Sequence, residues 1–324
     1  MSVGVGVIGT GVMGSEHARL LAREIPGAHL AGVFDSDDAR ARTGAAGATV
    51  FPDPRSLIGS DRVRAVIIAS PDATHAELVL GCLVAGKHVL CEKPLAFSTA
   101  DALRVVQAEA AMKRRLIQVG YMRRFDPGYQ QMKQIMDDGG IGATVLLHNV
   151  HRNARAPEWF TGPMAVTNSF VHEIDVSRWL TGSEMVSAHV ASGPGGDPMM
   201  ITMRTDHDEI VSTEVYMNAS YGYHVHAELV GRLGTVALAT PSLTMRNKDR
   251  MGGVSYPDNW IPRFVDAYRR QLTEWIAAMT SGIAVGASAW DGYMASAIAG
   301  QIAGGLAGSH TTMLKYAPRP SLYD

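Results

Sequence analysis

The chain has 324 residues, 46 % of them hydrophobic, and a formal net charge of −2 at pH 7. That length suits two domains with a sizeable core, and the near-neutral balance gives no basic field for nucleic acid or an anionic membrane, so a small neutral ligand fits better. The two cysteines, Cys82 and Cys91, sit in apolar surroundings and read as buried free thiols of a reducing cytoplasm rather than as a disulfide framework.

The first residues carry no basic stretch, so no signal peptide is expected, and no apolar run is long enough to span a bilayer. Residues 3–8 form an apolar strand that enters Gly9-Thr10-Gly11-Val12-Met13-Gly14, and a helical pattern follows over 15–24. In such a turn the first glycine permits the tight bend, the second lets backbone approach a pyrophosphate, and the third allows close helix–sheet packing. The helix N-terminus then faces the phosphate charge. A lone glycine pattern is often only a turn. Here a second strand over 30–34 ends in Asp35, about twenty residues on, where an acceptor for the ribose hydroxyls belongs. Asp35 opposes the 2′-phosphate of NADP, and Ser36, Asp37 and Asp38 follow it with no arginine directly after, so the expected cofactor is NAD.

A short surface helix over 39–46 and a loop at Phe51-Pro52-Asp53 lead to a fully buried strand over 63–69. It ends in Ser70-Pro71-Asp72-Ala73-Thr74-His75, so Ser70, Pro71 and His75 fall in a cofactor-facing turn, where the histidine is as readily a capping or packed group. A helix over 76–85 closes with Gly86 as its C-cap. The strand over 87–91 delivers Glu92-Lys93-Pro94. Proline stops that strand at once and places Lys93 at its carboxyl end, where open α/β sheets bind ligands. Lys-Pro alone would be a solvated lysine beside a turn; the dinucleotide pattern before it reverses the odds. Ser98 has capping-box spacing to Asp101 and opens a helix through Met112, and 116–119 is one more strand. Four βα repeats by Gly120 imply a doubly wound parallel sheet, a Rossmann domain over residues 1–120.

After Gly120 the pattern changes to a helix over 127–136, a strand over 144–150, a polar helix within 166–180, and strands at 186–191, 199–204, 210–217, 223–230 and 235–239. Residues 121–324 therefore read as an α+β domain with a large, mostly antiparallel sheet for substrate binding and oligomerisation. Two helices close it: an amphipathic one over 264–279, with Phe264, Tyr268, Leu272, Trp275, Ile276 and Met279 on one stripe, and one rich in small residues over 291–306. The 12 histidines show no metal-ligand spacing, the nearest approach being His224 and His226 on one strand face, so no metal is expected.

These segments resemble the Gfo/Idh/MocA oxidoreductases, and within them the inositol 2-dehydrogenases, over essentially the whole chain. The marks are the glycine motif, Glu92-Lys93-Pro94, Tyr121-Met122-Arg123-Arg124-Phe125-Asp126-Pro127-Gly128-Tyr129, His151-Arg152-Asn153, His172-Glu173-Ile174-Asp175-Val176 and residues 263–268. The resemblance implies hydride transfer between NAD and a secondary ring hydroxyl, with the sheet commonly mediating a homo-oligomer, a dimer or tetramer. By matched position Lys93 contacts the reacting hydroxyl and the nicotinamide side, and His172 takes the hydroxyl proton. Met122, Arg123, His151, Asn153, Asp175 and Tyr223 match the polyol pocket, although Arg123 and Arg124 could equally be surface charges and Tyr223 a packed strand residue. Histidine is a base near neutral pH without perturbation, and an ammonium stabilises a developing alkoxide.

One position departs from the pattern: Asn168 stands where the inositol-dehydrogenase segment has an aspartate, one helical turn before His172. On an α-helix the two share a face. An amide carbonyl can accept a ring N–H and orient the imidazole, but it cannot neutralise an imidazolium. That allows a different substrate, such as an aminocyclitol or a hexose-type sugar. Two alternatives stand beside simple oxidation: transient oxidation serving glycoside modification, and a non-catalytic dinucleotide-sensing regulator. Lys93 and His172 argue against the regulator, as does the absence of a basic recognition helix.

Overall fold

The central strands of the first sheet are buried along nearly their whole length, as strands with helices on both faces are. The computed structural model describes residues 2–239, 242, 244–306 and 310–324. Its first compact unit comprises Met1–Met122, Asp266–Ser296 and Ala317–Asp324. Here β1 (Val3–Ile8), β2 (Ala28–Phe34), β3 (Thr49–Val50), β4 (Ala65–Ile68), β5 (His88–Cys91) and β6 (Ile117–Val119) form one parallel sheet in the order β3-β2-β1-β4-β5-β6. The order reverses between β1 and β4, so their carboxyl ends flank the crevice in which such sheets bind ligands. The crossovers are α1 (Val12–Arg23), α2 (Asp38–Gly44), α3 (Pro54–Gly59), α4 (His75–Val84) and α5 (Thr99–Ala111).

Local chemistry sets these boundaries. Asp37 and Asp53 accept backbone N–H groups at the starts of α2 and α3, and Ser98 does so for α5 by accepting from Asp101. The loop expected at 51–53 is thus the N-cap of a short helix that the sequence pattern did not announce, since six residues carry too little periodicity. Further along, Glu109 on α5 is fully buried. It accepts the backbone N–H of Leu116 and Ile117 at 2.6 Å each, and Tyr323 donates to its other oxygen at 2.6 Å. Residues 317–324 are thereby fastened to the start of β6.

The second unit comprises Arg123–Val265 and Ala297–Tyr316. It begins with α6 (Pro127–Asp137), capped by Asp126, and β7 (Thr144–Arg152). The helix expected within 166–180 is divided: Ala165–Phe170 is a π-helix, and α7 (Val171–Thr181) follows it. Next come β8 (Met185–Ser192), β9 (Met199–Thr205), β10 (Ile210–Tyr216), β11 (His224–Gly231), β12 (Thr235–Ala237) and the hairpin β13 (Arg246–Lys248) and β14 (Met251–Gly253), which was not expected. Two helices, α8 (Trp260–Ser281) and α9 (Ala289–Gly305), each contribute to both units, and β15 (Thr312–Met313) ends the list of strands. The sheet runs β12-β11-β7-β10-β9-β8-β15, antiparallel except that β7 and β10 are parallel. Strict alternation of burial along β9 leaves one face packed and the other open. Among the described residues no helix is long and apolar enough to cross a membrane.

Candidate active site

At the carboxyl end of the first sheet a cavity of about 430 Å³ is lined by Gly9, Gly11, Asp35, Ser36, Ser70 and Pro71. Gly9 has φ +88°, and a Cβ there would lie 2.5 Å from the carbonyl oxygen of Ala69, so only glycine makes this bend. A Cβ on Gly14 would overlap the Gly9 carbonyl, which fixes α1 against the turn, whereas Gly11 faces open space. The N-terminus of α1 has no side-chain cap and no acidic residue in its first turn, leaving its N–H groups to an anion. Val12, 64 % exposed, and half-buried Met13 form that first turn.

Asp35 is buried just past the carboxyl end of β2. One oxygen accepts the Thr10 backbone N–H at 2.7 Å and its hydroxyl at 3.2 Å; the other accepts from the Asp37 N–H at 2.9 Å and from Arg40 at 3.2 Å. Burial alone would raise this carboxyl. The hydrogen bonds from Asp37 and Thr10 and the charge of Arg40 outweigh burial and hold it below its ordinary value. Arg40 is a residue that sequence reading passed over. It does not directly follow Asp35, but the first turn of α2 brings it onto the same cavity wall.

His75 lies behind that wall, 1 % exposed, with its ring nitrogens 2.7 Å from the Pro94 carbonyl and 2.9 Å from that of Ser70. It joins the turns after β4 and β5. Glu92 is buried too, and His17 of α1 meets its carboxylate at 2.7 Å. A Cβ at Gly120, just past β6, would come 2.7 Å from the other Glu92 oxygen, so a side chain there would displace the Glu92 carboxylate. His17, itself fully buried with its ring edge-on to Tyr268, was not expected at the site; the helical period from Gly14 puts it on the packed face of α1. Lys93 follows Glu92 and is half-buried.

In the second unit the candidates fall into two groups. Arg123, 1 % exposed, donates to Glu173, and His151 Nδ1 lies 2.9 Å from both Glu173 oxygens. Arg123 also lies over the Tyr129 and Phe264 rings, and Tyr223 packs edge-on against His151. Burial would raise Glu173, but Arg123 and His151 outweigh it and hold the carboxyl low, while burial pushes Tyr129 up to about 12 and Tyr223 further still. Arg123 is therefore not a surface charge, and Arg123, His151 and Tyr223 form an internal cluster rather than an open polar wall. Arg124 is equally not free in solvent: it forks onto Asp175 at 3.0 and 2.6 Å. Asp175 thus holds a guanidinium instead of presenting a bare acceptor.

The remaining candidates are more accessible. Asn153 is half-buried, its Nδ2 3.8 Å from Met217 Sδ and its Oδ1 buried with no hydrogen-bond partner. His172 is half-buried in the first turn of α7. Asn168 lies in the π-helix, four residues before His172, and its Oδ1 accepts the Thr167 hydroxyl at 3.0 Å. Met122 is buried in the 3₁₀ turn Met122–Phe125. Among the described residues no cluster of three or more His, Cys, Asp or Glu side chains is arranged to hold a metal ion.

Residues 3–121 match the profile described as the oxidoreductase family, NAD-binding Rossmann fold, and residues 129–237 match the GFO/IDH/MocA C-terminal domain. Inositol 2-dehydrogenase 1 of Saccharopolyspora erythraea is 47 % identical, with 100 % of this chain and 99 % of that protein covered. The crystal structure of myo-inositol dehydrogenase from Lactobacillus casei in complex with NAD(H) and myo-inositol superposes with a TM-score of 0.95 at 32 % identity, covering 100 % of both chains. The scyllo-inositol dehydrogenase of the same organism, with bound NAD(H) and scyllo-inositol, gives 0.84 at 25 % identity over 92 % of this chain and 95 % of that one.

Proposed function

The chain belongs to the Gfo/Idh/MocA oxidoreductases, and from that premise we propose that it oxidises a secondary ring hydroxyl of inositol, or of a related cyclitol or sugar, to a ketone with NAD. What carries this reading is the division of roles on α7. Glu173 is buried and bound to Arg123 and His151, and Asp175 is buried and bound to Arg124, whereas His172, half-buried in the first turn, is the more accessible titratable side chain. His172 takes the hydroxyl proton, as a neutral imidazole can near neutral pH. Lys93, delivered at the carboxyl end of β5, stabilises the alkoxide that develops with its ammonium. NAD, when bound, supplies the hydride acceptor. Its pyrophosphate would lie at Gly11 and the uncapped start of α1, with Asp35 taking the ribose hydroxyls.

Asn153 Oδ1, buried and unpartnered, accepts a ring hydroxyl, and Arg124, braced by Asp175, donates to another. Asn168 orients without adding charge, which keeps aminocyclitols and hexose-type sugars among the candidate substrates. The same proposal includes a cytoplasmic homo-oligomer formed through the open face of the seven-stranded sheet, where Met200 and Ile210 stay exposed. The test is an absorbance screen for NADH formation with a panel of inositols, aminocyclitols and hexoses. One class should give saturable turnover. Silence across the panel from a chain that binds NAD would instead favour a dinucleotide-sensing role.

A further inference from the structure

A second cavity, of about 530 Å³, lies in the first unit at the amino ends of β5 and β6, the opposite end of the sheet from the glycine turn. Its walls differ in kind. One is cationic, from the consecutive Lys113, Arg114 and Arg115; the other is apolar, from Trp275, Met279 and Ile283. Gln118 of β6 lines it as well, only 2 % exposed, and neither its Nε2 nor its Oε1 has a hydrogen-bond partner. Arg115 Nε is likewise buried and unpartnered. A buried amide with both atoms unsatisfied is rare, and Gln118 belongs to the lining of this cavity.

The charges nearby leave room for an anion. Arg114 donates to His88 Nε2 at 3.2 Å, which uses one of its five N–H groups. Glu109 interacts with Arg115, but its oxygens are already engaged by the Leu116 and Ile117 backbone and by Tyr323. Asp324, which also lines the cavity, lies 3.8 Å from Arg319.

We propose that this cavity binds a small organic acid, its carboxylate held by Arg114, Arg115 and the Gln118 amide and its apolar body lying against Trp275, Met279 and Ile283. The volume suits a ligand of one or two rings, and a guanidinium pairs with a carboxylate in a fixed fork. The site is independent of the oxidation proposed above and uses none of its residues.

Calorimetric titration of the full chain with 2-naphthoate tests this, with 2-naphthalenemethanol as the uncharged ring and inorganic phosphate as the bare anion. We expect saturable binding of 2-naphthoate alone, weakened about tenfold or more by Arg114→Gln and by Gln118→Leu, with NAD affinity unchanged in both. Gln118→Leu should also raise the Tm of the ligand-free chain, because it replaces an unsatisfied buried amide with an apolar side chain of similar size. Absence of saturable binding overturns the proposal, as does equally tight binding of the neutral ring or of phosphate. A lowered Tm for Gln118→Leu overturns it too, since the amide would then be bonded within the fold.

Discussion

Asp35 and Arg40 line one end of the first cavity, where on the proposed reading the ribose of NAD lies. The carboxylate accepts hydroxyls and repels a phosphate, while the arginine beside it, 56 % exposed along its side chain, would welcome one if its partner were removed. Asp35→Ala should therefore lower the preference for NAD over NADP by roughly tenfold or more, measured as the ratio of kcat/KM for the two cofactors; an unchanged ratio would mean that Asp35 does not read the ribose. If His172 is the base proposed above, His172→Ala should cost about a hundredfold to ten-thousandfold in kcat while the NAD dissociation constant from fluorescence titration stays the same. Loss of NAD binding in parallel would make His172 a structural residue. Asn168→Asp places a carboxylate near the imidazole, which favours its protonated form, so the acidic limb of the pH–rate profile should move to higher pH. An unmoved limb would show that the π turn keeps position 168 away from the ring.

The glycine turn and α1 act as one element. Because a Cβ at position 14 meets the Gly9 carbonyl, Gly14→Ala must push α1 off the sheet, and we expect weakened NAD binding together with a Tm lower by several degrees, since about 1–3 kcal/mol of overpacking is involved. A variant with the wild-type Tm and NAD affinity would refute the close approach. This element was legible in the sequence because strand, glycine spacing and following helix are all local, and so was the arrival of Lys93 just ahead of a strand-stopping proline. The second unit was less legible. Glu173 and Asp175 lie within five residues of His172, yet their arginine partners are 50 and 51 residues away, and nothing in a periodicity distinguishes a carboxylate awaiting substrate from one already bound to arginine. The π-helix was equally hidden, because a π turn leaves no signature in the apolar spacing. His17 and Arg40 were overlooked for a related reason: each acts through helix geometry rather than adjacency in sequence.

Across the molecule, the buried carboxylates give stability opposite dependences on pH. Glu173 is held below its ordinary value, so its contribution is present above the unfolded carboxylate range and is lost as pH falls through its folded value. Glu109 is raised by burial, so its contribution is full below the unfolded value and declines as pH rises through the folded one. Glu173→Gln should destabilise by about 3–5 kcal/mol at neutral pH, since it leaves Arg123 buried without its partner, and should flatten the acid side of a plot of urea-unfolding free energy against pH. A variant as stable as the wild type would show that the cluster does not hold the second unit together. The Tyr323 bond to Glu109 has another consequence, in the order of synthesis. As the polypeptide emerges from the ribosome, all six strands of the parallel sheet are available by residue 119, but the same unit also needs residues 266–296 and 317–324. The nascent nucleotide-binding unit therefore waits, incomplete and without the bridge from Val119 of β6 to Ala287, while some two hundred further residues are translated. In that interval it should be open to proteolysis and should lean on chaperones, and ribosome-bound chains stalled before residue 317 should be cleaved within α5 to β6 far faster than chains carrying Tyr323.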